Sequence, residues 1–312
     1  MSRTQLSIAI PLYNEGENVP ELYRRLKLIV KEQNKSYEVV FANDGSQDNT
    51  LEELVRLHKL DRNVKIVSLS RNFGHEAAVT AALDNTCGET VVLMDGDLQD
   101  APEFIPQLLS KLDEGYDIVY AQHPRRNDSL LMRLCTWSFY LLLDKLASYK
   151  LPMDVGAFSA MRRPVVDVLS AMSERNRFVA GLRAWVGFHQ TGVEYEKQAR
   201  FSGRPVQTFA KLLRMGLDAL FSFSYLPLRL ATILGLVVTV GSFFVTLNVL
   251  YQKYIAQTAI IGWSGPMLSI LIIGGAQLVM LGIVGEYLGR IYDEVKRRPY
   301  YIVSARIGFA KD

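Results

Sequence analysis

The sequence predicts an α/β domain with a mainly parallel sheet, followed by an amphipathic interfacial helix and a two-helix transmembrane hairpin. Three observations carry this prediction. Short apolar runs alternate with amphipathic stretches over the first 120 residues, the pattern of a parallel sheet covered by helices. Acidic clusters containing glycine close several of the apolar runs. Finally, the 35 basic and 32 acidic residues are unevenly spread: from Leu230 to Gly285 the only charge is Lys253. The mean hydropathy of +0.09 therefore averages two materials, a soluble domain and an apolar segment. Disorder, a disulfide scaffold and a purely cytosolic protein are excluded.

The elements follow in order. Leu6–Leu12 is a buried strand. Pro20 opens a helix with Leu22, Leu26, Ile29 and Val30 on one stripe. Tyr37–Ala42 is a second strand, and Asp48 caps a helix that runs to about Leu60. Val64–Leu69 is a third strand and Gly74–Leu83 an alanine-rich helix. Thr90–Met94 is a fourth strand, Pro102 opens a helix ending near Gly115, and Asp117–Ala121 is a fifth strand. The last strand of the sheet follows Asp154. No GxGxxG follows the first strand, which argues against a nicotinamide cofactor.

Beyond the sheet the chain turns apolar. Residues 129–147 form a very apolar helix, buried in the core or lying on a bilayer. Between 205 and 226, Phe209, Leu212, Leu213, Leu217, Leu220 and Phe221 share one face, with Lys211, Arg214 and Asp218 opposite, as an interfacial helix requires. Leu230–Tyr251 and Met267–Gly285 carry no charge, and each is long enough to cross about 30 Å of hydrocarbon. Gly274 and Gly275 are available for close helix contact. The expected division is 1–204 for the catalytic domain, 205–228 for the interfacial helix, 229–289 for two spans (about 230–251 and 267–288) and 290–312 for a tail. Five Lys or Arg precede the hairpin within 200–229 and five follow it within 289–306, so both termini are expected in the cytoplasm. The two spans could also pack between subunits, with Asn248 and Gln277 as polar contacts, and a homo-oligomer is expected.

A formal charge of +3, without basic runs interleaved with aromatics, argues against nucleic acid as a partner. Cys87 and Cys135 stand far apart and read as reduced core thiols. His75 and His189 read as structural.

Three loops carry the chemistry. Asp95-Gly96-Asp97-Leu98-Gln99 ends the fourth strand. Two carboxylates one residue apart can converge on a hard cation, Mg²⁺ or Mn²⁺, and Gln99 adds a neutral oxygen. Such a cation would neutralise a departing nucleoside diphosphate. Pro11-Leu12-Tyr13-Asn14-Glu15 ends the first strand and Asn43-Asp44-Gly45-Ser46 the second. Parallel strands deliver all three loops to one crevice. Glu15 and Asp44 suit hydrogen bonds to a base or ribose, and Tyr13 can pack on a ring. Arg125-Arg126 follows the fifth strand at the same edge, where permanently charged, bidentate donors suit a phosphate.

PLYNE, NDGS and DGDLQ in this order resemble the family 2 glycosyltransferases, whose nucleotide-sugar domain has the Rossmann-like GT-A fold. Ser70-Arg71-Asn72-Phe73-Gly74-His75, Asp100, Pro102-Glu103 and the apolar C-terminal hairpin narrow the resemblance to the polyprenyl-phosphate glycosyltransferases. That group includes dolichol-phosphate mannose synthases and bactoprenol glucosyltransferases of the GtrB type. The resemblance implies that Pro11, Tyr13, Glu15 and Asp44 hold the nucleoside, and that Arg71, Asn72 and Gly74 shape the donor pocket. Asp95, Gly96, Asp97 and Gln99 would hold diphosphate and metal. Arg125, Arg126, Arg133, Arg200 and Gly203 would grip the lipid phosphate, and Asp154 would join Asp97 as a catalytic group or orient the sugar. The QxxRW string of processive members is absent; Gly181-Leu182-Arg183-Ala184-Trp185 stands in its place.

The expected reaction is inverting, divalent-metal-dependent transfer of a sugar to undecaprenyl or dolichyl phosphate at the inner leaflet, feeding cell-envelope or O-antigen glycans. UDP-glucose is the favoured donor; GDP-mannose, UDP-GlcNAc and a UDP-aminoarabinose derivative stay open. Transfer to protein, glycan or glycerolipid, and non-catalytic binding of a nucleotide sugar, are the alternatives. The expected location is the bacterial inner membrane.

Overall fold

The computed structural model describes residues 4–122, 155–175, 177–195 and 264–309, together with scattered positions between 228 and 255. Helix 129–147 and the stripe at 205–226 lie outside these residues, as does Cys135. The chain divides into two compact units. One is built from the N-terminal part and the segment from Arg298 onward; the other contains Gln207–Arg297.

The first unit is an eight-stranded sheet. In chain order it comprises β1 (Leu6–Leu12), α1 (Val19–Gln33), β2 (Tyr37–Asn43), α2 (Thr50–Leu60), β3 (Val64–Leu69), α3 (His75–Asp84) and β4 (Thr90–Leu93). A 3₁₀ turn at Pro102–Phe104 then leads into α4 (Ile105–Asp113) and β5 (Ile118–Gln122). β6 (Val155–Arg162), α5 (Arg163–Ala171), α6 (Val179–Trp185) and β7 (Gln190–Glu194) follow, and β8 (Val303–Ile307) completes the sheet. The spatial order is β7-β5-β6-β4-β1-β2-β3-β8. β1 pairs parallel with β2 and β4, β2 with β3, and β5 with β7. β6 is antiparallel to β4 and β5, and β8 is antiparallel to β3.

The early elements match the sequence pattern because each strand is a mainly apolar, mostly buried run. All seven residues of β1 are buried, with side chains alternating between two cores. Ile8 and Ile10 join Phe41 and Leu22 under α1, α2 and α4; Ala9 joins Val40 and Ala82 under α3, α5 and α6. Pro20 lies in the first turn of α1, whose Leu22, Leu26, Ile29 and Val30 are buried.

Three differences have physical causes. The strand at 155–162 is not the last of the sheet; it inserts antiparallel between β4 and β5, and β7 and β8 follow it in the chain. β7 and β8 are short edge strands with half-exposed faces, and such strands leave little apolar signature. Cys87 is not a core thiol. It is exposed, with Sγ 3.3 Å from Glu38 Oε2.

That glutamate is buried at the entry end of the sheet. Glu38 accepts from Ser7 Oγ at 2.5 Å, Lys65 Nζ at 2.5 Å and the Cys87 amide at 2.6 Å, tying β1, β2, β3 and the approach to β4. Burial alone would raise its carboxyl; the three donors outweigh that and hold it below the usual range.

In the second unit, α7 (Ser264–Val295) is a continuous helix of 32 residues, and its segment Ile272–Val295 is long and apolar enough to cross a membrane. The described positions from Leu228 to Tyr251 are almost all helical, and Gly235 lies against Met280: a β-carbon there would sit 3.1 Å from its sulfur. Among the described residues nothing lies within 4 Å of the corresponding position at Gly274 or Gly275.

A charged Glu38 stabilises the fold above the ordinary carboxylate range, and that stability is lost as pH falls through its depressed value. Glu38→Gln is expected to cost on the order of 3 kcal/mol at pH 7 and to flatten acid sensitivity below about pH 4.3. Thermal unfolding across pH checks both outcomes.

Candidate active site

The sheet order reverses at β1, which lies between β4 on one side and β2 on the other. Parallel pairing there sends the loops after β1, β2, β3 and β4 to one edge, the position where open parallel sheets bind ligands. Three of these loops are the acidic clusters, and the fourth is Ser70–Gly74.

The first two loops are sewn together. Asn14, at φ +54°, donates its amide to Ser46 Oγ at 2.9 Å and accepts the Gln47 amide at 2.8 Å. The Glu15 amide donates to Thr50 Oγ1 at 3.0 Å and the Gly16 amide to Asp48 Oδ2 at 3.1 Å. Asp48 also accepts the Thr50 amide while bracing the neighbouring loop; the N-cap of α2 is Asn49 rather than Asp48, because the chain becomes helical only at Thr50. Glu15 accepts from Asn18 Nδ2. Tyr13 is exposed at this edge, whereas Pro11 is buried within β1 opposite Ala42.

Asp44 is 2% exposed, and burial pushes its carboxyl up. Its two oxygens accept the amides of Phe73 at 2.7 Å and Gly74 at 2.9 Å. Asp44 thus organises the loop after β3. Gly45 makes the approach close: at φ +63°, a β-carbon would fall 2.7 Å from the Asn72 nitrogen. Arg71 and Asn72 are exposed on this loop, with the Arg71 guanidinium 4.6 Å from the Phe73 ring centre. Gly74, at φ +102°, leads into α3.

The Asp95–Asp100 loop is tightly held. Gly96 packs close on the end of β1: a β-carbon there would overlap Leu12 Cδ2, so that side chain would have to shift. Asp97 Oδ1 accepts the Gln99 amide at 3.1 Å across Leu98, whose φ is +62°. Asp100, 1% exposed, accepts the Asp95 amide at 3.2 Å. Asp95 Oδ1 is buried and receives no hydrogen bond among the described residues; His75 Nε2 lies 3.6 Å away. A buried carboxylate oxygen without a donor is suited to a cation. The described residues include no group of three or more His, Cys, Asp or Glu placed around one point.

Two residues at this site escaped the sequence pattern. His75 stands beside Asp95 instead of in a structural pocket of its own. Tyr195, at the end of β7, donates its hydroxyl to the Gln99 carbonyl at 2.8 Å and accepts the Ala101 amide at 2.7 Å. Its ring packs between Phe104 and Phe158, with centroids 4.7 and 5.7 Å away. The one available signal was position: an aromatic residue closing a short strand. Glu76 accepts the Val179 amide at 2.9 Å, and burial raises its carboxyl. Arg125, Arg126, Arg133, Asp154, Arg200 and Gly203 lie outside the described residues. Gln122, where β5 ends three residues before Arg125, is at the same edge as the acidic loops.

The family model for glycosyl transferase family 2 matches residues 7–169. The chain belongs to that family, and it is a glycosyltransferase. More particularly, it is similar over nearly its whole length to bactoprenol glucosyl transferases. That of Shigella phage SfX is 37% identical, across 97% of this chain and 99% of its own. The prophage homolog in Escherichia coli is 38% identical, across 96% of this chain and 98% of its own. An uncharacterized glycosyltransferase of Bacillus subtilis, YkcC, is 42% identical across 99% and 96%.

Tyr195→Phe keeps the ring and removes both hydrogen bonds to the Asp95–Asp100 loop. It is expected to cost about 1–3 kcal/mol, read by thermal unfolding, because the Ala101 amide is left buried without an acceptor.

Proposed function

We propose that this glycosyltransferase moves glucose from UDP-glucose to undecaprenyl phosphate at the cytoplasmic leaflet of a bacterial inner membrane. The product is a lipid-linked glucose, inverted at the anomeric carbon, for cell-envelope or O-antigen glycans. The observation that carries this reading is end-to-end similarity to bactoprenol glucosyl transferases, including the apolar C-terminal segment.

The geometry supports a division of labour. Tyr13 and Glu15 face the nucleoside, while Asp44 acts through the loop it orders, presenting Arg71 and Asn72 to the donor. Asp95, Asp97 and Gln99 would hold Mg²⁺ or Mn²⁺ together with the diphosphate. When bound, the ion supplies positive charge against the departing UDP. The buried Asp95 Oδ1 supports this assignment. Arg125, Arg126, Arg133, Arg200 and Gly203 are assigned to the acceptor phosphate. Asp154 orients the sugar or serves as a base. The acceptor is already an anion near neutral pH, so alignment and charge neutralisation supply most of the rate.

Chain connectivity supports the membrane part. Strands up to β7 and strand β8 belong to one sheet, yet α7 lies between them in the chain. If α7 crosses a bilayer, an odd number of further crossings must lie between Tyr195 and Ser264. The helical positions from Leu228 to Tyr251 supply the segment for one. Residues 4–195 and 298–309 then face the same compartment. The excess of Lys and Arg flanking both apolar segments supports the cytoplasm as that side.

The test is transfer of radiolabelled sugar to undecaprenyl phosphate in membranes, across a panel of nucleotide sugars with and without Mg²⁺ or Mn²⁺. UDP-glucose is expected to be the preferred donor, and Asp97→Ala to lower metal-dependent transfer at least about 100-fold. Full metal-dependent transfer by that variant would overturn the ligand assignment. Activity only on a soluble acceptor would overturn the lipid one.

A further inference from the structure

We infer that the segment Arg298–Ile307, to which the chain returns after α7, is a positioning element of the donor site. It bonds the first residue of the Ser70–Gly74 loop and the last residue of the helix that follows that loop. The inference rests on the donor assignment proposed above for that loop.

The contacts are specific. β8 pairs with β3 from Ile66 to Leu69, with a register shift between Ser68 and Leu69. Ser304 Oγ donates to the Ser68 carbonyl at 3.0 Å. The Ser70 amide donates to the Ile302 carbonyl at 2.9 Å, one residue beyond the end of β3. The loop is thus anchored where it begins. At the far end of α3, Tyr301 donates its hydroxyl to Asp84 Oδ2 at 2.9 Å. The start of α3 is fixed by Glu76, which accepts the Val179 amide; the Arg177 guanidinium, two residues before Val179, lies 6.0 Å from the Tyr300 ring centre. Arg175 donates to the Arg298 carbonyl at 3.1 Å. Between these anchors, the Phe73 and Gly74 amides reach Asp44, and Gly45 packs on Arg71 and Asn72.

Sheet pairing alone would require only β8 itself. The bonds from Ile302 and Tyr301 extend past the ladder to the loop's first residue and to the helix that follows it. A loop held this way presents Arg71 and Asn72 in one arrangement, which lowers the entropy lost when a donor binds. The C-terminal segment therefore acts on donor affinity without touching the donor.

The experiment uses the full chain in lipid nanodiscs, carrying Tyr301→Phe with Ser304→Ala. Both changes keep the packing volume nearly constant, so the fold is retained. Amide hydrogen exchange over residues 70–74 is expected to quicken about tenfold. The KM for UDP-glucose is expected to rise about three- to tenfold, with kcat and the KM for undecaprenyl phosphate within about twofold of the parent. Ser304→Thr, paired with wild-type Tyr301, restores both readouts. Unchanged exchange overturns the inference, as does a loss confined to kcat with the donor KM unchanged. The exchange readout needs no donor. Failure of the parent protein to use UDP-glucose would therefore count against the donor assignment, while the exchange result still decides whether the segment orders the loop.

Discussion

Everything at the site depends on one constraint: β1 pairs in parallel with both β2 and β4. Leu6 lies opposite Tyr37 on one side and Thr90 on the other. Parallel strands started level finish level. Leu12 and Asn43 therefore end as partners, and the acidic residues that follow each strand emerge into one crevice. No side chain has to reach across the molecule. The seven buried residues of β1 hold this alignment, because a slip of one residue would turn each side chain toward the wrong core.

Given that alignment, the loops brace one another. Asp48 and Thr50 hold the loop after β1; Asp44 holds the loop after β3; Tyr195 and Asp100 hold the loop after β4. Several of these carboxylates spend their oxygens on backbone amides. Asp95 keeps a buried Oδ1 that receives no hydrogen bond among the described residues. Glu38 at the opposite end shows the ordinary solution for a buried acid, with three donors on its two oxygens.

Family membership places the chain among enzymes that act on sugars, and the apolar segment bears on where it acts. The acidic sheet edge and the 32-residue apolar helix belong to one chain. Returning the chain to the sheet after that helix ties the second material to the first through a strand.

The sequence by itself determined the α/β class, the first five strands, the acidic loops and the break in charge at Leu230. Each of these depends on local composition: continuous apolar runs for buried strands, Pro20 and Pro102 for helix starts, and a charge-free stretch for a span. Its average hydropathy already contained both materials, and the structure showed that the unit holding the sheet resumes at Arg298. The tertiary structure alone decided the insertion of β6 between β4 and β5, the edge strands β7 and β8, the exposure of Cys87, and the parts played by Asp44, His75 and Tyr195. These depend on contacts between residues far apart in the chain, such as Tyr195 with Gln99 or Ile302 with Ser70. Edge strands bury one face at most, and a lone tyrosine or serine has no periodicity, so their roles exist only once the sheet brings them together.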